Sequence, residues 1–219
     1  MKIVAISDTH GQHDHVIFKE KADVLVFAGD WTRGRDVDLQ ETDKFLKWLD
    51  KQPFEYKVII AGNHEMQVEA DPIGFRELLK TYNITYLEDE SVTIKGVKFY
   101  GSPYSNEFCN WAFMGSEEKL KDVHKNIPND TNVLITHGPA YRCFDKVRHP
   151  YGGDNHVGSK VVRDRKASLK HLQLHICGHI HESGGCNKSG NVVSINASVL
   201  NASYDMVHDP YYVTLKETE

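Results

Sequence analysis

Five apolar runs pace the chain: K-I-V-A-I at 2–6, D-V-L-V-F-A at 23–28, Y-K-V-I-I-A at 56–61, N-V-L-I-T at 132–136 and L-Q-L-H-I-C at 172–177. Each is continuous rather than alternating, the pattern of strands covered on both faces. Helical spacing separates several of them. Residues 38–50 place Leu39, Leu46 and Leu49 on one face of a helix. Asp71-Pro72 predicts a second helix, with aspartate as N-cap and proline in the first turn. Ser116 and Ser159 predict the caps of two more. S-V-T-I-K-G-V-K-F-Y at 91–100 reads as a hairpin turning at Lys95-Gly96, and 191–196 and 211–216 supply late strands. No repeat, low-complexity tract or linker interrupts the pattern. The expected fold is an α/β sandwich with strands in its middle layers, one domain spanning residues 1–219.

Polar residues gather where these strands end. Strand 2–6 runs into S-D-T-H-G, with Asp8 and His10; strand 23–28 runs into G-D-W, with Asp30. Strand 56–61 leads to G-N-H-E, with Asn63 and His64, and strand 132–136 to H-G-P, with His137. Strand 172–177 leads to G-H-I-H-E, with His179 and His181. Taken singly, each has a plain explanation: a helix cap at Asp8, turn residues at Asp30 and Asn63, a core histidine at His137. Ligands of open α/β sheets bind outside the carboxyl ends of strands. Eight such side chains after five buried strands therefore point to one polar rim of two carboxylates, one carboxamide and five imidazoles. Imidazole is the commonest side-chain metal ligand.

Composition narrows the function. The chain has 219 residues, 40% hydrophobic and 26% charged, with a net charge of −5. An acidic balance disfavours long nucleic acid as a partner. No apolar run is long enough to cross a bilayer, and a strand beginning at Lys2 leaves no room for a signal peptide, so a cytoplasmic protein is expected. Cys109, Cys143, Cys177 and Cys186 are scattered, unlike a disulfide framework or a thiolate zinc site.

The order D-x-H, G-D, G-N-H-E, H-G, G-H-x-H resembles the signature of the calcineurin-like metallophosphoesterases, with all five blocks present. T-H-G-P at 136–139, G-S-P-Y at 101–104, H-I-H-E at 179–182 and N-A-S-V at 196–199 are similar to the metallophosphoesterase-domain-containing (MPPED-type) branch. That branch is itself similar to the class III cyclic-nucleotide phosphodiesterases. Ala61 before G-N-H-E, and G-D-W-T-R-G-R at 29–35, depart from the protein serine/threonine phosphatases.

The resemblance implies a four-layer αββα sandwich and a binuclear-metal-dependent phosphoesterase. Asp8, His10 and His181 would hold one divalent ion, and Asn63, His137 and His179 the other. Asp30 would bridge both, and His64 would lie over the phosphate as the second catalytic residue. The ions expected are Mn²⁺, Fe or Zn²⁺, with a metal-bridging hydroxide as the attacking group. The implied reaction is hydrolysis of small phosphodiesters such as cyclic nucleotides. The alternatives are a phosphomonoesterase acting on nucleotides or proteins, and a non-catalytic metal-binding scaffold. The intact motif set argues against the scaffold.

Substrate contacts are expected from Asn63, His64 and His156, the last in the glycine-rich stretch 150–159 beside Asn155. Arg33 and Arg35 could reach a phosphate, although a solvated loop is the plainer reading. Tyr104, Phe108 and Trp111 could stack on a base, with at least two of them expected in the core. Glu65 and Glu182 are expected to orient ligands from behind. The remaining histidines are expected in the core or on the surface.

Overall fold

The computed structural model describes residues 1–34, 38–148 and 153–216. The first half runs β1 (Lys2–Ile6), β2 (Val24–Ala28), α1 (Gln40–Asp50), β3 (Tyr56–Ile60), α2 (Met66–Ala70), α3 (Pro72–Leu79), β4 (Thr85–Tyr86), β5 (Glu90–Ile94) and β6 (Val97–Ser102). Two short strands follow, β7 (Ser105–Asn106) and β8 (Met114–Gly115), then α4 (Glu117–His124) and β9 (Val133–Thr136). The second half continues with β10 (Lys146–Arg148), β11 (Asp154–His156), α5 (Lys160–Ser168), β12 (Leu174–Cys177), β13 (Gly185–Ser189), β14 (Val192–Asn196) and β15 (Tyr211–Thr214).

The five apolar runs are the parallel centres of two sheets. One sheet has the order β15-β1-β2-β3-β4, the other β13-β14-β12-β9-β6-β5. In the first, Val4 pairs Leu25 and Val26 pairs Val58, both in parallel register. In the second, Ile176 pairs Ile195 on one side and Ile135 on the other. Side chains alternate across each strand, and the sandwich follows from that alternation. Ala5, Val26 and Val58 face Phe99, Ile135 and Ile176 in a core between the sheets. Val4, Phe27 and Ile59 face outward onto Phe45, Leu46 and Leu49 of α1 and Phe75 of α3. Trp31 stacks on Phe45 with centroids 4.8 Å apart. On the far side, Tyr100 and Leu134 are covered by Ile127, Leu169 and Leu172, next to α4 and α5. The result is the four-layer αββα arrangement. Each fully buried aliphatic side chain adds roughly 1.5–3 kcal/mol, so the inter-sheet core and the layer under α1 and α3 both contribute heavily to cohesion.

Local signals account for the boundaries. The Asp71 carboxylate accepts the Gly74 N–H at 2.9 Å, the Ser116 hydroxyl that of Lys119 at 3.3 Å and the Ser159 hydroxyl that of Val162 at 3.2 Å. Lys95 and Gly96 have φ of 47° and 80°, the two positive values a tight hairpin turn needs. The sequence pattern missed α2, β4, β13, the β7/β8 pair and the β10/β11 ribbon. None has enough apolar residues to show a period.

Candidate metal centre

The strand ends of both sheets meet at one rim. β1 and β2 deliver Asp8, His10 and Asp30, and the turn after β3 delivers Asn63 and His64. From the second sheet, β9 delivers His137 and β12 delivers His179 and His181. The backbone there is strained: Asp8, His10, Asp30 and His179 have φ of 54°, 43°, 61° and 70°. Left-handed conformations in non-glycine residues cluster at functional sites. The turns are also too tight for a side chain at two glycines. A Cβ on Gly62 would strike Asp30 Oδ1, and one on Gly178 would strike Asp8 Oδ2.

Among the described residues, three sets of ligand atoms lie close enough to hold a cation: Asp8, His10, His181; Asp30, His137, His179; and His10, Asp30, His64. The first has the same members as one group implied by the resemblance, and the second brings His137 and His179 of the other group together with Asp30, the implied bridge. Asn63 joins the second, its Oδ1 lying 2.9 Å from His137 Nε2. Asp30 stands between the sets. Its Oδ2 is 3.3 Å from His137 Nε2, 3.7 Å from His10 Nε2 and 3.9 Å from His64 Nε2.

The tautomers make the case for a cation. His10 Nδ1 lies 3.0 Å from the Thr32 carbonyl, His137 Nδ1 2.8 Å from that of Ala28 and His181 Nδ1 3.1 Å from that of Asn201. A carbonyl only accepts, so each Nδ1 carries a proton and each Nε2 is turned inward, where its lone pair is the one available to a cation. His10 Nε2 and His181 Nε2 then face each other at 3.1 Å. His137 Nε2 faces the Asn63 carbonyl oxygen in the same way. Opposed lone pairs repel unless positive charge lies among them. The donor set of nitrogen and oxygen without sulfur fits divalent first-row metals.

Charge surroundings agree. Burial pushes the Asp30 carboxyl up, but His137, His10 and His64 pull it well below the usual carboxylate range. Burial pushes the Asp8 carboxyl up as well, but His181 and His137 together bring it below its ordinary value. Burial alone would depress His137, yet the Asp30 carboxylate raises it to about 10. A bound divalent ion takes the place of such a proton. His10 and His179 are each held at about 4, chiefly by burial.

Glu65 orients the site through the backbone. Its buried carboxyl accepts the N–H groups of Asp30 at 2.8 Å, Thr32 at 3.0 Å and Gly62 at 2.6 Å. Burial and the Asp30 charge push it up to about 8 despite those bonds. Asn196 does similar work on the other sheet, its amide donating to the Ile180 carbonyl at 2.8 Å. The roles of Thr32, Asn196 and Asn201 were missed by sequence reasoning, because they act through backbone groups or on them. N-A-S-V at 196–199 was the one available signal.

Other expectations need correction. Glu182 is exposed at the cleft edge rather than placed behind a ligand. His156 Nδ1 lies 2.6 Å from Asp145 and its ring packs on Tyr141. It does not line the clefts at the cluster. Of the three aromatic residues, only Tyr104 packs into the core; Phe108 is 81% exposed and Trp111 38%. The segment between β7 and β8 carries these two over the rim, where solvent rather than a second layer meets them. Arg33 is exposed, its Nε donating to the His10 carbonyl at 3.1 Å. Arg35, His149 and residues 150–152 lie outside the described residues. Of the other histidines, His13, His124 and His175 are buried, and His15 and His171 are exposed.

The profile of the calcineurin-like phosphoesterase family matches residues 1–183. The chain belongs to that family. As a calcineurin-like phosphoesterase it has metal-dependent hydrolysis of phosphoesters as its chemistry, and the clustered Asp and His side chains suit divalent ions. A UPF0046 protein of Caenorhabditis elegans is 34% identical over 99% of this chain and 76% of its own length. The human metallophosphoesterase domain-containing protein 1 is 31% identical over 98% of this chain and 71% of its own. Among solved structures, a dimetal phosphatase from Danio rerio matches with a TM-score of 0.55 at 13% identity, covering 90% of this chain and 86% of that one. At that identity the likeness concerns the fold.

Proposed function

We propose that this phosphoesterase is a binuclear-metal-dependent phosphodiesterase acting on small phosphodiesters, cyclic nucleotides among them. The observation that carries the reading is Asp30, one carboxylate oxygen of which faces imidazoles of both ligand sets. Two divalent ions, Mn²⁺, Fe or Zn²⁺, held there would neutralise the phosphoryl group and acidify a water. Asp8, His10 and His181 would hold one, Asn63, His137 and His179 the other. His64 stands 3.9 Å from Asp30 Oδ2 at the open side of the cluster. From there it would stabilise charge on the phosphate or protonate the departing oxygen.

The cleft favours a diester over a monoester. Above the cluster it holds about 280 Å³. It continues past His10 and Arg33 into about 560 Å³ and past His179 and Arg148 into about 620 Å³. A phosphate with a group on each ester oxygen fits a site open on both flanks. A small anion suits a chain of net charge −5 better than long nucleic acid does. Four free cysteines fit a reducing, cytoplasmic location. Among the described residues no helix is long and apolar enough to cross a membrane.

The test is Mn²⁺-dependent hydrolysis of bis-p-nitrophenyl phosphate beside the monoester, with Asp30→Ala as control. The expected outcome is diester cleavage well above monoester cleavage, lost in the variant together with bound metal. Preference for the monoester would replace the phosphodiesterase with a phosphomonoesterase.

A further inference from the structure

The end of the sandwich away from the metal centre holds a depression of about 350 Å³. Its walls are the loop that enters β12, the β13–β14 hairpin and the residues that leave β15. His179 and His181 follow the opposite end of β12, so the depression takes no part in the chemistry above. Leu172 and Leu215 are buried in its floor, with Val193 and Val213 half-buried beside them. Lys170, Lys188 and Lys216 stand exposed around that apolar floor, one from each wall. Gln173 joins the walls: its backbone carbonyl accepts the Val193 N–H at 2.9 Å, and its Oε1 accepts the Lys216 N–H at 3.1 Å.

Charge sets this place apart from the rest of the surface. The chain has 31 Asp and Glu against 26 Lys and Arg, so carboxylates are plentiful. Lys95, Lys98 and Lys125 meet one at 2.7, 2.5 and 3.0 Å. Among the described residues, no carboxylate lines the depression, and none lies within ion-pair distance of Lys170, Lys188 or Lys216. His171 at its edge feels Asp130, but that carboxylate is the one held by Lys98. Three like charges around one hollow repel each other and are left without a counter-charge.

We propose that this depression binds a small organic polycarboxylate, its carbon frame on the apolar floor and its carboxylates on Lys170, Lys188 and Lys216. A lysine ammonium is a compact point charge, and three of them on separate walls suit carboxylates spread over a frame. A bare inorganic anion would meet the charges but leave the floor in water, without the gain of apolar burial. The site is independent of the phosphodiesterase reading, since it shares no residue with the metal centre or its cleft. Binding there is screened by salt, as for any exposed set of charges.

The experiment is calorimetric titration of the Mn²⁺-loaded protein at low ionic strength with three probes: benzene-1,3,5-tricarboxylate, benzoate and sulfate. Wild type is compared with the triple variant Lys170→Gln, Lys188→Gln, Lys216→Gln, and metal content and diester hydrolysis are measured on both. The expected result is that wild type binds the tricarboxylate roughly tenfold more tightly than either other probe. The triple variant should lose that margin while keeping its metal and its hydrolysis. No binding of the tricarboxylate, or equal binding of all three probes, overturns the site. A margin retained in the triple variant overturns the assignment to these lysines. Binding that vanishes from the metal-free protein places the probe on the metal centre and overturns it too. Glu217 and Glu219 follow Lys216 in sequence, so a chain ending at Lys216 is the last control. It should bind the tricarboxylate as the full chain does; binding tighter by tenfold would make the acidic end of the chain the occupant and overturn the small-molecule site.

Discussion

Two groups of buried histidines lie on opposite sides of the second sheet's strand ends, and burial affects them differently. At the rim, His137 is surrounded by carboxylates and raised to about 10. On the helix-covered face, His124 and His175 bond Ser102 at 3.3 Å and Thr136 at 2.9 Å through Nε2. Burial holds His124 at about 4, and burial with the neighbouring Lys166 holds His175 well below its ordinary value. Both groups are almost inaccessible to water. The lesson is that a buried imidazole becomes a candidate ligand through what its two nitrogens face: a carbonyl behind and other acceptors in front. His124 and His175 have hydroxyls in front, and they pack as core.

The comparison can be broken most severely at Asp30, where alanine should abolish hydrolysis and metal retention together, as the control assay above would show. His64→Ala should come next. It should keep both metals by elemental analysis yet lose roughly 10²-fold or more in kcat. Loss of a metal instead would move His64 among the ligands, as the His10, Asp30, His64 grouping allows.

A smaller effect is expected at Glu65. In Glu65→Gln the amide meets three backbone N–H groups with one acceptor oxygen in place of two, and metal affinity read by competition with a chelator should fall roughly 10- to 100-fold. On the other side of the comparison, His124 has a lower pKa folded than unfolded. As pH falls below about 6.5 the unfolded chain takes up its proton first, so stability is lost until the folded group charges near pH 4. The unfolding free energy of His124→Leu from urea titrations should therefore fall less steeply than that of wild type as pH is lowered from about 6.5 to 4, by up to ~1.4 kcal/mol per pH unit. Glu182→Gln should change kcat/KM by no more than about twofold, as expected for an exposed side chain outside the ligand sets.

The rim was legible in the sequence because each of its side chains directly follows a strand whose buried character shows as a continuous apolar run. Residue type then carried the chemistry: imidazoles and carboxylates after glycine-marked turns read as a site even without coordinates. What holds those side chains was not legible. The Ala28, Thr32 and Asn201 carbonyls that set the tautomers belong to every residue type alike. Trp111 and Tyr104 looked equivalent in one aromatic-rich stretch. They were separated only by which side of the short β7/β8 pair each falls on, and two-residue strands have no period to read.

Each ligand set draws on both halves of the sandwich: Asp8 and His10 from one sheet with His181 from the other, Asp30 and Asn63 with His137 and His179. A divalent ion in either set would act as a clasp across the seam between the sheets. Anything that binds only the folded form stabilises it by mass action, so a bound ion would raise resistance to unfolding as well as supply chemistry.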